Sequence, residues 1–182
     1  MESQTPDQAG GRPILTIVSG RPGAGKSTLA RRLAEALSCP MVSRDEIFEG
    51  IQRTVERGGE VPGEVPKVAF DTFFGTLSLL VSNHVTVVAE AAFQDLRWRI
   101  GIGPLLPRAD VRIVHCVLDT DLARDRVVQR RKEEGRSDPD LGPDSAIVRP
   151  FEPVALPVPT LTVSTVNGYD PKLADIVAFL QV

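Results

Sequence analysis

Lys26 and Ser27 close the stretch Gly20-Arg21-Pro22-Gly23-Ala24-Gly25-Lys26-Ser27, whose first, fourth and sixth residues are glycine. These residue types at this spacing suit the binding of an anion. Glycines let successive backbone N–H groups turn inward, a lysine reaches the outer phosphates of a nucleotide, and a hydroxyl helps hold Mg²⁺. The candidate nucleotide-binding set is therefore Gly20, Arg21, Pro22, Gly23, Ala24, Gly25, Lys26, Ser27 and Thr28, with ATP and Mg²⁺ as the ligands such a loop implies. The flanks agree. Ile14-Leu15-Thr16-Ile17-Val18 reads as a short buried strand, and Ser27 to Ala34 opens an amphipathic helix whose positive N-terminal end favours phosphate.

Three further groups of residues can do chemistry. Ser43-Arg44-Asp45 follows a second strand-like run. Asp45 can take the proton of a hydroxyl under attack, or it can simply cap the helix predicted from about Glu46. Arg44 beside it is either an acceptor contact or a solvated charge. Glu90 directly follows four apolar residues, where it can orient Mg²⁺ through water, bind acceptor hydroxyls, or face a loop. The basic run Arg124 to Arg136 places Arg126 and Arg130 on one helix face, with Arg136 beyond the Gly135 stop. Such arginines can close over a triphosphate and stabilise moving charge; the plain alternative is a solvated face paired with Glu133 and Glu134. His84, His115 and Trp98 read more simply as packing or surface residues than as catalytic ones. Phe70, Phe73, Phe74 and Leu77 follow helical spacing and read as core.

The elements that must position these residues alternate between strand-like and helix-like runs, which predicts a doubly wound parallel sheet. Strands are expected at Ile14–Val18, Pro40–Ser43, Val85–Ala89, Val111–Leu118 and Leu161–Ser164. Helices are expected after the phosphate loop, from about Glu46 to Arg57, from Pro66 to about Asn83, from about Asp95 with a break near Gly101–Pro104, up to about Glu134 behind Asp119 or Asp121, and from Pro171 to Leu180. Gly58–Pro66 reads as a Gly/Pro-rich loop and Gly135–Pro150 as a lid or loop. Three prolines in Pro153–Pro159 exclude a central strand there. Ligands of such sheets gather at the C-terminal strand ends, where the phosphate loop, Asp45 and Glu90 all fall.

Composition sets the outer bounds. A chain of 182 residues, 42% apolar, suits one domain: a frayed tail over 1–12 and a single domain over 13–182, with a lid at about 124–150. A net charge of −3 gives no global attraction to nucleic acid or anionic membrane. Cys39 and Cys116 are isolated within or beside apolar runs and read as reduced, buried thiols, which fits a cytoplasmic protein. No apolar run is expected to approach a membrane span, and a monomer or a homodimer both fit.

With the phosphate loop, Arg44-Asp45, Glu90 and the basic run in this order, the chain resembles the small P-loop kinases. Its nearest likeness is to the group of polynucleotide 5′-hydroxyl kinases, chloramphenicol phosphotransferase and zeta-toxin-like, AAA-type ATP-binding proteins. The likeness runs from about Pro13 to Leu180 and includes Phe70-Asp71-Thr72 and Val114-His115. It implies an α/β, three-layer P-loop NTPase fold with a five-stranded parallel sheet in the order 2-3-1-4-5 and a small arginine-bearing lid. It also implies Asp45 as general base, Lys26 and Ser27 on the phosphates and Mg²⁺, Arg130 or Arg131 with Arg136 as lid arginines, and Asn167-Gly168 near the adenine. Polynucleotide kinases carry an arginine three residues after the catalytic aspartate, where this chain has Phe48; Glu90 is followed by apolar Ala91-Ala92-Phe93. These departures favour a small, partly apolar acceptor bound by Arg44, Asp45, Glu90 and Phe93. A small metabolite or antibiotic-like alcohol ranks first and a nucleic-acid 5′-end second. A non-kinase switch with slow ATPase activity is the reading from another class. No N-K-x-D guanine motif stands in the chain.

Overall fold

β1 (Ile14–Ser19) is buried along nearly its whole length, as a strand covered on both faces must be. The computed structural model describes residues 11–93, 95–135, 142, 145 and 147–182. The chain continues through α1 (Lys26–Ala36), β2 (Met41–Ser43), α2 (Arg44–Glu56), α3 (Val65–Ser82), β3 (Val87–Glu90) and α4 (Asp95–Ile102). A short 3₁₀ turn at Gly103–Leu105 leads to β4 (Asp110–Val117), α5 (Thr120–Glu133), β5 (Thr160–Ser164) and α6 (Leu173–Gln181). The five strands form one sheet in the order β2-β3-β1-β4-β5, with every neighbouring pair parallel. This is the α/β P-loop fold that the sequence resemblance implies.

Alternation along β1 sends its side chains into two separate cores. Leu15 and Ile17 join Val87, Ala89, Val111 and Ile113 beneath α3 and α4, together with Phe73, Leu77, Phe93 and Ile102. Val18 joins Val88, Val114, Cys116 and Val163 beneath α1 and α6, with Leu29, Leu33, Ile176 and Leu180. Each fully buried large side chain contributes roughly 1.5–3 kcal/mol of transfer free energy, so both helical layers are firmly held to the sheet. The site is thus built on a rigid frame.

Several boundaries differ from the sequence expectation. α2 begins at Arg44 rather than near Glu46, because the Ser43 side chain accepts from the Glu46 backbone N–H and takes the cap position. β3 starts later than Val85 and runs on to Glu90, so that carboxylate belongs to the strand and not to a loop. α3 is 18 residues long and, by length and composition alone, apolar enough to cross a membrane, which the sequence runs did not predict. Its Ala69, Phe73, Leu77 and Val81 stripe packs inward.

Candidate functional site

Two glycines thread the loop after β1 between its neighbours. At Gly20 (φ +148°) a Cβ would lie 2.5 Å from the Cys116 carbonyl oxygen at the end of β4. At Gly23 (φ +83°) it would lie 2.1 Å from the Ala123 carbonyl oxygen of α5. Only glycine adopts these dihedrals and tolerates that approach. α1 then starts at Lys26 with no side-chain cap, so no side chain takes its first-turn N–H groups.

Lys26 is 6% exposed. Its Nζ donates to the Arg21 carbonyl oxygen at 3.3 Å and lies 3.8 Å from Oε1 of Glu90. Glu90 is itself 1% exposed at the end of β3. Register places it beside Val18 of β1 and Ser43 of β2, and Ser43 Oγ donates to its Oε2 at 2.8 Å. Oε1 is buried without a hydrogen-bond partner. Ser43 therefore links the cap of α2 to the carboxylate facing Lys26. This short relay joins three strands' ends.

A cavity of about 290 Å³ opens beside the loop. Its walls are Pro22, Gly23, Gly25, Lys26, Ser27 and Thr28, with Asp45, Ala92, Arg126, Val127 and Arg130 around them. Asp45 lies in the first turn of α2, its side chain 64% exposed and 3.4 Å from Nη1 of Arg44. The capping role that sequence allowed it belongs to Ser43. Arg130 reaches the cavity from α5, with Glu134 at 3.9 Å. Arg126 donates to the carbonyl oxygens of Thr165 and Val166 at 2.9 and 3.2 Å, and Thr165 Oγ1 donates to the Ala24 carbonyl at 3.0 Å. The segment leading into Asn167-Gly168 is thereby fastened to both α5 and the phosphate loop.

Other expected site residues fall elsewhere. Phe93 is fully buried against Phe73 and Trp98, with ring centroids 5.9 and 4.6 Å away, because the end of β3 turns it under α3; Ala92 lines the cavity in its place. Trp98 is accordingly a packing residue. Arg44 stacks over the Phe48 ring at 4.8 Å and does not line the cavity. Arg131, Asn167, Gly168 and Glu90 are also off its walls. Arg136 and much of the Gly135–Pro150 segment lie outside the described residues. Sequence reading missed Thr165, Ala92 and the hydroxyl of Ser43, which carry no motif; their position one residue past or at a strand end was the available signal.

Burial shapes the remaining titratable groups. The Cys116 thiol is pushed up to about 12, first by burial, with Lys26 and Glu90 acting in opposite senses. It stays protonated and inert. Burial also holds His115 below the ordinary imidazole value, where it stacks on Phe151 at 5.6 Å. Both cysteines are free.

Comparison with known proteins agrees with this geometry. A family model described as an AAA domain matches residues 15–147. A shikimate kinase of Corynebacterium efficiens is 36% identical over 138 residues, which are 75% of this chain and 73% of that protein. An adenylate kinase of Mycobacterium marinum is 28% identical over 140 residues, 69% of this chain and 72% of its own. Among solved structures, a protein of Chloroflexus aurantiacus J-10-fl superposes with a TM-score of 0.77 at 24% identity, covering 94% of this chain and 95% of that one. That last likeness concerns the fold.

Proposed function

The chain belongs to the AAA domain family of P-loop kinases, and we propose that it is an ATP- and Mg²⁺-dependent kinase for a hydroxyl of a small metabolite. The observation that carries this reading is the single cavity bounded by the phosphate loop on one side and Asp45 on the other, with Arg126 and Arg130 from α5 beside them. A donor site alone would not require a carboxylate on the facing wall. The kinase relatives support the same reaction class, and shikimate kinase supports a small acceptor.

In this reading the loop amides, Lys26, Ser27 and Thr28 hold the triphosphate. Asp45 accepts the acceptor hydroxyl's proton while the new O–P bond forms and the bond from the γ-phosphorus to the β,γ-bridging oxygen breaks, leaving ADP. Arg130 neutralises charge on the transferred group. Arg126 and the segment around Asn167-Gly168 border the nucleotide base, and Arg131 and Arg136 complete the basic edge. Ser27 and Glu90 fit a divalent cation: a hydroxyl lines the cavity, and a buried carboxylate oxygen lacks a hydrogen-bond donor. Among the described residues no group of three or more His, Cys, Asp or Glu side chains gathers, so phosphate and water oxygens would complete its coordination. When bound, Mg²⁺ supplies charge neutralisation on the phosphate oxygens.

The test is Asp45→Asn. ATP binding by calorimetry is expected to persist while turnover of the best alcohol acceptor falls by about 10² or more, the usual loss for a positioned base. Normal turnover with normal ATP binding would rule out the assigned base. A panel of small alcohols and 5′-hydroxyl oligonucleotides decides the acceptor class, and ADP formation indifferent to every acceptor would indicate a switch with slow ATPase activity.

A further inference from the structure

We propose that Arg21, the second residue of the phosphate loop, reads a negative charge on the acceptor, so that the substrate is an anionic alcohol such as a hydroxy acid. This rests on the kinase reading above. Three observations lead to it. Arg21 is only partly exposed, and its Nη1 is buried with no hydrogen-bond partner. No carboxylate pairs with it: the ion pairs around the site join Lys26 to Glu90 and Arg44 to Asp45, and Arg130 to Glu134, leaving this guanidinium without an anion. The cavity that takes the donor phosphates is walled by Pro22, Gly23 and Gly25 to Thr28, and Arg21 is not among its walls.

A guanidinium always carries its charge, so burial cannot be relieved by losing a proton. An unpaired buried donor on a charged group is costly, and such a cost persists at a functional site when a ligand removes it. The donor phosphates already have the loop amides, Lys26 and the arginines of α5. Arg21 follows directly on Ser19 and Gly20 at the end of β1, the middle strand of the sheet, and its own carbonyl holds Lys26 Nζ. Its side chain therefore stands at the strand ends but outside the donor walls, where the body of an acceptor presented to Asp45 must lie. A planar fork there suits a carboxylate in two-point contact. Shape and charge give one substrate class: a hydroxyl for Asp45 and an acid for Arg21.

The experiment compares acids with their own neutral methyl esters as phosphate acceptors, using shikimate, gluconate and a series of simple hydroxy acids. Wild-type protein is expected to favour the acid at least tenfold in kcat/KM. Arg21→Gln is expected to bring that ratio to about one through KM, and Arg21→Lys to retain part of it. ATP affinity measured by calorimetry on the same variants reports whether the loop keeps its donor function. A ratio that survives Arg21→Gln would overturn the proposal, as would a ratio that instead collapses in Arg44→Gln. A tenfold weaker ATP affinity in Arg21→Gln with the ratio intact would assign the guanidinium to the donor and likewise overturn it. Turnover of neutral alcohols alone would sink this inference and leave the kinase standing. No phosphorylated product from any alcohol would sink both.

Discussion

Ser43 carries two loads with one hydroxyl. It accepts from the Glu46 N–H, ending the orphan donors of α2, and donates to Glu90 Oε2, the oxygen of a carboxylate that is shut off from water. Removing the hydroxyl loses a helix cap, a typical cost of about 1 kcal/mol, and leaves a buried charged acceptor short of a donor, about 1–3 kcal/mol more. Ser43→Ala is therefore expected to lower unfolding free energy by about 2–3 kcal/mol in urea titration, far above the effect of an ordinary surface change. Ser43→Thr, which keeps the hydroxyl, is expected to recover most of it. Equal losses in both variants would place the effect in packing and not in the relay. Glu90 was legible from sequence as a carboxylate past four apolar residues, whereas Ser43 was not. A serine before a helix is commonplace, and only the β2–β3 register reveals that its hydroxyl lies across from Glu90.

At the scale of elements, the fold was written in alternation and punctuation, and it failed to be legible where single side chains decide a boundary. Every strand and helix inferred from the runs exists, and the sheet order implied by the resemblance is the one observed. The start of α2 slipped because the cap lies in Ser43, one residue before the charged pair that caught the eye. Phe93 was misplaced because local pattern cannot say which way a residue turns after a strand ends; packing against Phe73 and Trp98 settled it. The joint between the loop and α5 was equally hidden, since it depends on two segments about a hundred residues apart meeting at Gly23 and Ala123. Gly23→Ala tests that joint. A Cβ there must displace backbone and not a flexible side chain, and φ is +83°. ATP affinity is expected to fall at least tenfold in calorimetry, with the far-ultraviolet circular dichroism of the fold retained. Affinity within twofold of wild type would mean that α5 can move aside freely, and that the arginines it carries are not fixed relative to the loop.

At the scale of the molecule, the donor site is where separate parts of the chain are tied together. β1 delivers the loop, β3 and β2 deliver Glu90 and Ser43 to Lys26, α5 presses on Gly23, and Arg126 and Thr165 fasten the segment after β5 to α5 and to Ala24. A nucleotide bound there touches or braces elements from both ends of the described chain, so its binding free energy should appear as global stability and not as local ordering. A ligand that binds only the folded state adds about 2.7 kcal/mol at a hundredfold excess over its Kd. For a domain of this size each kcal/mol moves Tm by about 2–4 °C. Mg²⁺ with a non-hydrolysable ATP analogue is thus expected to raise Tm by roughly 5–10 °C in a single cooperative transition. Lys26→Met keeps the apolar stem and removes the ammonium, so it is expected to abolish most of the shift; comparing each protein with and without ligand cancels the cost of leaving Glu90 unpaired. The metal should matter as well, with a smaller shift in EDTA. An equal shift in the wild-type protein and the lysine variant would show that the nucleotide binds away from the loop, and the donor half of the proposed reaction would have to be sought elsewhere on the molecule.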